Sequence, residues 1–334
     1  MEAVMNGALI TTMEDVRHAY RLLLGREPDT EGLAHHFNEI SKQSLSPTVI
    51  ARILMDSHEY RARSNALRKM REVQINGVKI YPWGGDQLIG DSLSAEGEYE
   101  PNVLPVFLDA LRQGDYVLDV GTNIGIFTLL AAKRVGSQGR VYAFEPVARN
   151  VQSLCAGIIG NGFTNIALIP VAASDRAGAV SMHPTDNSSN GIVDVRTLDP
   201  DDAAMAPINR IDSLLHGIER LDVIKIDIEG FEPRAWRGIR ALVVRFKPLI
   251  FSEFNPVAIG NTLGLDPREY LCDLLEVASA PIEVLHRDGS VVACKSDVEI
   301  MSEWRGANER IGLDGALHLD LRLETGLSRT RSFQ

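Results

Sequence analysis

Cysteine is scarce: three in 334 residues (Cys155, Cys272 and Cys294), widely separated and with no C-x-x-C pair. That argues against a disulfide framework or a zinc site and fits a reducing cytoplasm. Basic charge is also short, 34 Lys and Arg against 45 Asp and Glu, for a net charge of -11. Nucleic-acid binders usually show a basic face, so no nucleic-acid partner is expected. The opening MEAVMNGALITTMED has an early Glu2 and no basic run, so no signal peptide is expected. Long hydrophobic runs are missing too. Val151–Ser174 carries no formal charge, but Asn161-Gly162, Asn165 and Pro170 interrupt it, which suits helix, turn and strand better than a membrane span. What remains is ordinary globular material, 45% hydrophobic and 24% charged, long enough for two domains.

The chain is organised around YVLDVGTNIGIFTLLAA, from Tyr116 to Ala132. Tyr116–Val120 is short, rich in β-branched residues and bounded by Gly114 and Gly121, which predicts a core strand. Gly121 and Gly125 are expected to let the backbone turn sharply and approach a ligand, and a helix from Ile124 onward would point its free N–H groups at the same place. A dinucleotide fingerprint would need glycine at 123 and 126, where Asn123 and Ile126 stand instead. The loop reads D-x-G-x-N-x-G from Asp119 to Gly125, with an acid that would repel a pyrophosphate but suits a cationic or hydroxyl-rich ligand. It resembles the first motif of class I methyltransferases, which bind S-adenosyl-L-methionine, and so makes Asp119, Gly121, Thr122, Asn123 and Gly125 candidate cofactor residues.

Residues 13–72 read as a helical block. EDVRHAYRLLLG places Val16, Tyr20, Leu23 and Leu24 at helical spacing, a second helix is expected over about Glu31–Ser41, and Ser46-Pro47 starts a third. YRLLLGREPDTEGLAHHF followed by DSHEYRAR resembles a small helical module of bacterial surface-associated and glycan-modifying proteins. Two readings stay open: a docking or glycan-recognition module, and a packing appendage that buries its own apolar stripe. The sequence divides into this module (1–75), a catalytic domain (76–295) and a polar tail (296–334).

Downstream, strands and helices alternate, which predicts a doubly wound parallel sheet. The expected strands are 116–120, RVYAFE (140–145), NIALIPVAAS (165–174), DVIKIDIEG (222–230) and PLIFSEFNP (248–256). Asp175 to about Pro207 reads as a long irregular connection, and PIEVLHRDGSVVACK as a hairpin with a type I′ turn at Asp288-Gly289. Acids gather at the strand ends, where open α/β sheets bind ligands. Glu145 follows Gly121 at the spacing of a ribose-binding acid, and its two oxygens could accept both ribose hydroxyls. Ser174 and Asp175 are candidates for an adenine amino group. Strand alternation puts Lys225, Asp227 and Glu229 on one face, costly to bury unless they bind something.

VLDVGTNIGIFTLLAA, YAFEP, RIDSLL, VIKIDIEGFE and PLIFSEFNP, in this order, resemble the FkbM-type methyltransferase family over about residues 75–295. The resemblance implies a seven-stranded class I methyltransferase sheet with an antiparallel last strand, its final strands coming from the hairpin. It also implies S-adenosyl-L-methionine as cofactor, no metal, and a hydroxyl acceptor such as a sugar. The family's usual Thr-Leu-Asp before the fourth strand is Arg210-Ile211-Asp212 here. Alcohol methylation needs a base within reach of the hydroxyl, and Asp227 and Glu229 are the catalytic candidates, with His183 the runner-up. The rivals are a dinucleotide-dependent oxidoreductase, disfavoured by Asn123 and Ile126, and a non-catalytic binding protein that keeps the fold.

Overall fold

The computed structural model describes residues 12–24, 26–30, 32–34, 38, 47–60, 70–83, 99–183, 192–194, 205–313, 315 and 317–326. The strands in chain order are β1 (Val73–Ile75), β2 (Val78–Ile80), β3 (Tyr116–Val120), β4 (Arg140–Phe144), β5 (Ile166–Ile169), β6 (Ala172–Ala173) and β7 (Gly178–His183). They continue with β8 (Ile192–Asp194), β9 (Met205–Asn209), β10 (Val223–Ile226), β11 (Leu249–Phe254), β12 (Ile282–Leu285), β13 (Val291–Cys294) and β14 (Leu319–Glu324). Eight of them form the main sheet in the order β13-β12-β14-β11-β10-β3-β4-β5. From β5 to β11 neighbours run parallel, while β14 is antiparallel to both β11 and β12.

The central strands are apolar on both faces, as burial under helices on both sides requires. Leu118, Val120, Ile224 and Ile226 pack with Trp236 and Ile239 of the helix Glu232–Phe246. Val117, Val141 and Val223 pack on the other side with Phe107, Phe127 and Leu129, from the helices Leu104–Ala110 and Ile126–Val135.

Several expectations need correction. The third strand does not run through 174. Pro170, which has no N–H to give a ladder, separates β5 from β6, and β6 leaves for a second sheet of order β6-β9-β7-β8. The connection expected to be irregular therefore carries β7, β8 and β9, although HPTDNSSNG falls largely outside the described residues. The 288–289 turn is not type I′, because only Gly289 has positive φ (+83°) and its N–H closes the turn on His286 O (2.9 Å). The segment from 296 is no tail. It forms the helix Asp297–Ile311 and then β14, inserted between β11 and β12. The last inner strand is thus β14, with the hairpin at the sheet edge.

The boundary at 75/76 cuts the β1–β2 hairpin, whose Asn76 and Gly77 both have positive φ. Ile75, Val78 and Ile80 share the core of Val117 and Leu129. Trp83 donates from Nε1 to Arg149 O (3.0 Å), and Met70 bridges to Trp83, so the described residues from 70 onward are tied to the sheet and its helices. Upstream, Val16, Tyr20, Leu24 and Leu54 make a small core of their own, and Arg26 grips Glu59 with two bonds of 2.7 and 2.8 Å. Much of the expected second helix lies outside the described residues. Among the described residues no helix is long and apolar enough to cross a membrane.

Candidate functional site

A cavity of about 590 Å³ opens at the carboxyl ends of β3, β4, β10 and β11, and the cofactor-type and acid-type residues both line it. The Asp119–Gly125 loop forms one wall. Gly121 N–H donates to Phe144 O (2.9 Å), Gly125 N–H to Thr122 O (2.9 Å), and Asn123 turns the chain with φ +52°. The helix begins at Ile126, two residues later than expected, with Gly125 at its N-cap at φ +96°. The two glycines answer to the protein rather than to a ligand. A Cβ on Gly121 would lie 1.9 Å from Asp227 O, and one on Gly125 2.4 Å from Leu154 Cδ1. Gly121 is also a wall residue of the cavity.

Glu145, just beyond β4, is a buried wall residue. Its Oε2 accepts from Asn123 N–H (2.8 Å) and its Oε1 from Val147 N–H (2.9 Å) and Asn150 Nδ2 (3.4 Å). A carboxylate offers about four acceptor positions, so the group pins the glycine loop and keeps about one position, enough for one hydroxyl rather than the two expected. Burial pushes its carboxyl up to about 7 despite those donors. Asp119 is buried too: Oδ2 accepts from Thr128 Oγ1 (2.6 Å), and burial raises its carboxyl above the ordinary range, against the opposing pull of Lys225. Asp119 Oδ1 and Thr122 Oγ1 are buried, belong to wall residues and have no hydrogen-bond partner among the described residues. Unmet buried polar atoms call for a partner: the Asp119 carboxylate can accept from one and the Thr122 hydroxyl can donate to one.

Ser174 and Asp175 are not among the cavity's wall residues. Once β6 has left the main sheet, Asp175 is drawn to the helix Glu232–Phe246, where Arg234 Nη1 donates to it at 2.6 Å. The adenine role expected of this pair is therefore not supported by its position. Val171, Ala172, Ala173, Val147 and Met182 supply an apolar stretch of wall instead.

The opposite wall is acidic. β10 ends at Ile226, so strand alternation does not extend to Glu229. The chain turns, with Glu229 at φ +56° and Gly230 at +94°. Buried Glu232 holds this turn by accepting from Ile228 N–H (2.9 Å) and Gly230 N–H (3.2 Å). Asp227 and Glu229 nevertheless both line the cavity, with Lys225, Glu100, Glu253 and His318.

Lys225 Nζ donates to Asp227 Oδ2 (2.6 Å) and stands 4.2 Å from the centre of the Phe127 ring. Burial opposes the Asp227 charge, but Lys225 prevails and holds the carboxyl at about 2. Glu229 has no such partner among the described residues. Burial and then the charges of Asp227 and Glu232 push it up to about 7. The two catalytic candidates thus differ: Lys225 holds the Asp227 carboxyl low, while burial and neighbouring acids push Glu229 up. Among the described residues no group of three or more His, Cys, Asp or Glu is arranged to hold a metal ion. The side chain of His183, the runner-up candidate, lies outside the described residues.

The sequence reading missed His318, which sits beside the start of β14 with Nδ1 3.0 Å from Glu253 Oε1. A signal was present: in LHLDLRLE, Leu317, Leu319, Leu321 and Leu323 alternate with polar residues at the period of a strand.

This strand order, a run of parallel strands with β14 and the edge strand β13 reversed and a cavity at the carboxyl ends of the parallel strands, defines the class I methyltransferase fold. Residues 119–275 match the Methyltransferase FkbM domain, as the motifs lead one to expect, and the cofactor of that domain class is S-adenosyl-L-methionine. No curated protein matches the chain. Among solved structures, an FkbM methyltransferase from Methylobacillus flagellatus KT is 17% identical at a TM-score of 0.38, covering 80% of this chain. This chain spans only 55% of that protein's length. A SAM-dependent O-methyltransferase from Thermotoga maritima is 12% identical at a TM-score of 0.38, with 79% of this chain and 80% of that one covered. TomG, an O-methyltransferase from Streptomyces achromogenes in complex with SAM, is 11% identical at a TM-score of 0.37, with 68% and 79% covered.

Proposed function

We propose that the chain is an S-adenosylmethionine-dependent O-methyltransferase acting on a hydroxyl of a small molecule or glycan, with sugars favoured. The observation that carries this reading is a single cavity with an amino-acid- and ribose-accepting wall on one side and a carboxylate-rich wall on the other. S-adenosylmethionine, when bound, supplies an electrophilic methyl group. Glu145 would hold the ribose, and Asp119 and Thr122 the ammonium and carboxylate of the methionine part. Asp227 and Glu229 would receive the acceptor. Asp227 stays charged beside Lys225 and can only accept from a hydroxyl. Glu229, poised at about 7, can accept from one hydroxyl or donate to another. Methyl transfer needs chiefly this positioning.

Calorimetry with S-adenosylmethionine and with NADH, followed by release of S-adenosylhomocysteine in the presence of a glycan extract, tests the reading. Binding of the first ligand with turnover on the extract is expected. Binding of NADH alone would return the oxidoreductase alternative, and S-adenosylmethionine binding without turnover on any hydroxyl compound would refute O-methylation.

A further inference from the structure

The acidic wall holds one group the reaction above leaves unused. Glu253, the fifth residue of β11, is buried, and burial together with the charges of Asp227, Glu232 and Glu229 drives its carboxyl well above the ordinary range. An anion there is costly: Glu253 meets Asp227 through a side-chain hydrogen bond that raises its carboxyl further, and His318 Nδ1 stands 3.0 Å from Glu253 Oε1. The two residues come from adjacent strands, since Glu253 pairs in register with Asp320 of β14. Asp320 is itself tied down by Asn102 Nδ2 at 3.0 Å. A ring that donates from Nδ1 to a carboxylate keeps its lone pair on Nε2. The nearest acid to Nε2 is Asp320 Oδ2 at 3.8 Å, beyond hydrogen-bonding reach. His318 is 31% exposed on its side chain and lines the same cavity as Asp227 and Glu229. It therefore meets the acceptor space on one side and solvent, where a proton can be discharged, on the other.

We propose that His318, oriented by Glu253, is the general base that removes the proton from the acceptor hydroxyl. This rests on the O-methylation reading. The O–H bond breaks with its proton passing to His318 Nε2, and the oxygen keeps the electron pair that forms the bond to the methyl carbon. The sulfur–carbon pair stays on sulfur, leaving a neutral thioether. Asp227 is unsuited to this step because Lys225 already occupies it. Glu229 and Asp227 then hold and orient the acceptor, while Glu253 is a positioning residue that fixes the imidazole tautomer.

The tautomer is read without any acceptor, by ¹⁵N NMR of the histidines with His318→Gln used for assignment. The expected result is an Nδ1–H ring for His318 at pH 8 that loses this preference in Glu253→Gln. An Nε2–H ring in the wild-type protein would overturn the proposal even if the variants fail to fold. With S-adenosylmethionine and the glycan extract, His318→Gln is expected to lose ~10²–10⁴-fold in rate, with cofactor affinity kept within about threefold. Added imidazole is expected to restore part of the rate in His318→Gly. A His318→Gln enzyme within about fivefold of wild type, or a larger loss in Glu229→Gln than in His318→Gln, would assign the proton to another group. Absence of all turnover in the wild-type protein would instead count against O-methylation, while the tautomer still decides the pairing.

Discussion

Replacing Lys225 by Met tests the logic of the acidic wall most directly. The ammonium is buried, 2.6 Å from Asp227 Oδ2, and faces a carboxyl that burial alone would have pushed upward. Holding that carboxyl at about 2 instead of the ordinary 3.8 corresponds to ~2.5 kcal/mol in favour of its charged form, at ~1.36 kcal/mol per pH unit. Methionine fills the space of the aliphatic stem but takes away the Lys225 charge, leaving Asp227 only the Glu253 hydrogen bond and the more distant His318 to favour its charged form. Removing one partner of a buried pair costs ~3–5 kcal/mol, and a loss of that size is expected for Lys225→Met at pH 8. The sign with pH follows. In the wild-type protein the lowered carboxyl stabilises the fold fully above its ordinary pKa, a contribution lost only as pH falls toward about 2. In the variant the same carboxyl is raised, so its penalty grows with rising pH and is relieved by acid. The deficit against wild type should thus be larger at pH 8 than at pH 5, and Lys225→Met/Asp227→Asn should recover most of it. Urea unfolding of the cofactor-free proteins at the two pH values measures this. A loss below ~1 kcal/mol at pH 8, or one that neither acid nor Asp227→Asn relieves, would refute the reasoning.

Glu145→Ala removes the acceptor of Asn123 N–H and Val147 N–H as well as a ribose partner. Calorimetry should show S-adenosylmethionine affinity weakened by ~1–3 kcal/mol, and unchanged affinity would remove Glu145 from the cofactor site. Gly121→Ala drives a methyl group against Asp227 O at a backbone φ of +87°, so melting without cofactor should fall by an overpacking cost of ~1–3 kcal/mol; wild-type melting with lost binding would return the glycine to a ligand role. A chain beginning at Met70 keeps the β1–β2 hairpin and should fold and bind S-adenosylmethionine, whereas one ending before Leu317 lacks β14 and should not fold. Circular dichroism and calorimetry decide both, and folding of the shortened carboxyl end would contradict the sheet order.

The repeated strand–helix alternation made the parallel sheet legible, because burial on both faces writes runs such as YVLDV and LIFSEF into the sequence. The D-x-G-x-N-x-G loop and Glu145 were legible for a similar reason, since few residue types satisfy so tight a turn. Asp175 was misread because its side chain answers to Arg234, 59 positions away, a partner no local pattern reveals. Glu229 reached the right cavity on a wrong argument: two-residue alternation ends at Ile226, and a left-handed turn does the rest. His318 was overlooked because its worth depends on register. Only the pairing of β14 with β11 brings it to Glu253, although the alternation in LHLDLRLE was in plain view.

The late position of β14 in the chain bears on how the molecule is made. β11 ends at Phe254 and β12 at Leu285, yet the strand that joins them spans Leu319–Glu324. Until that strand emerges, both neighbours expose unpaired backbone on facing edges, a state open to wrong pairing and aggregation. Closing the gap demands contacts between distant parts of the chain, which slows folding. His318 arrives with the same strand. The acidic wall therefore meets its imidazole only when the sheet closes.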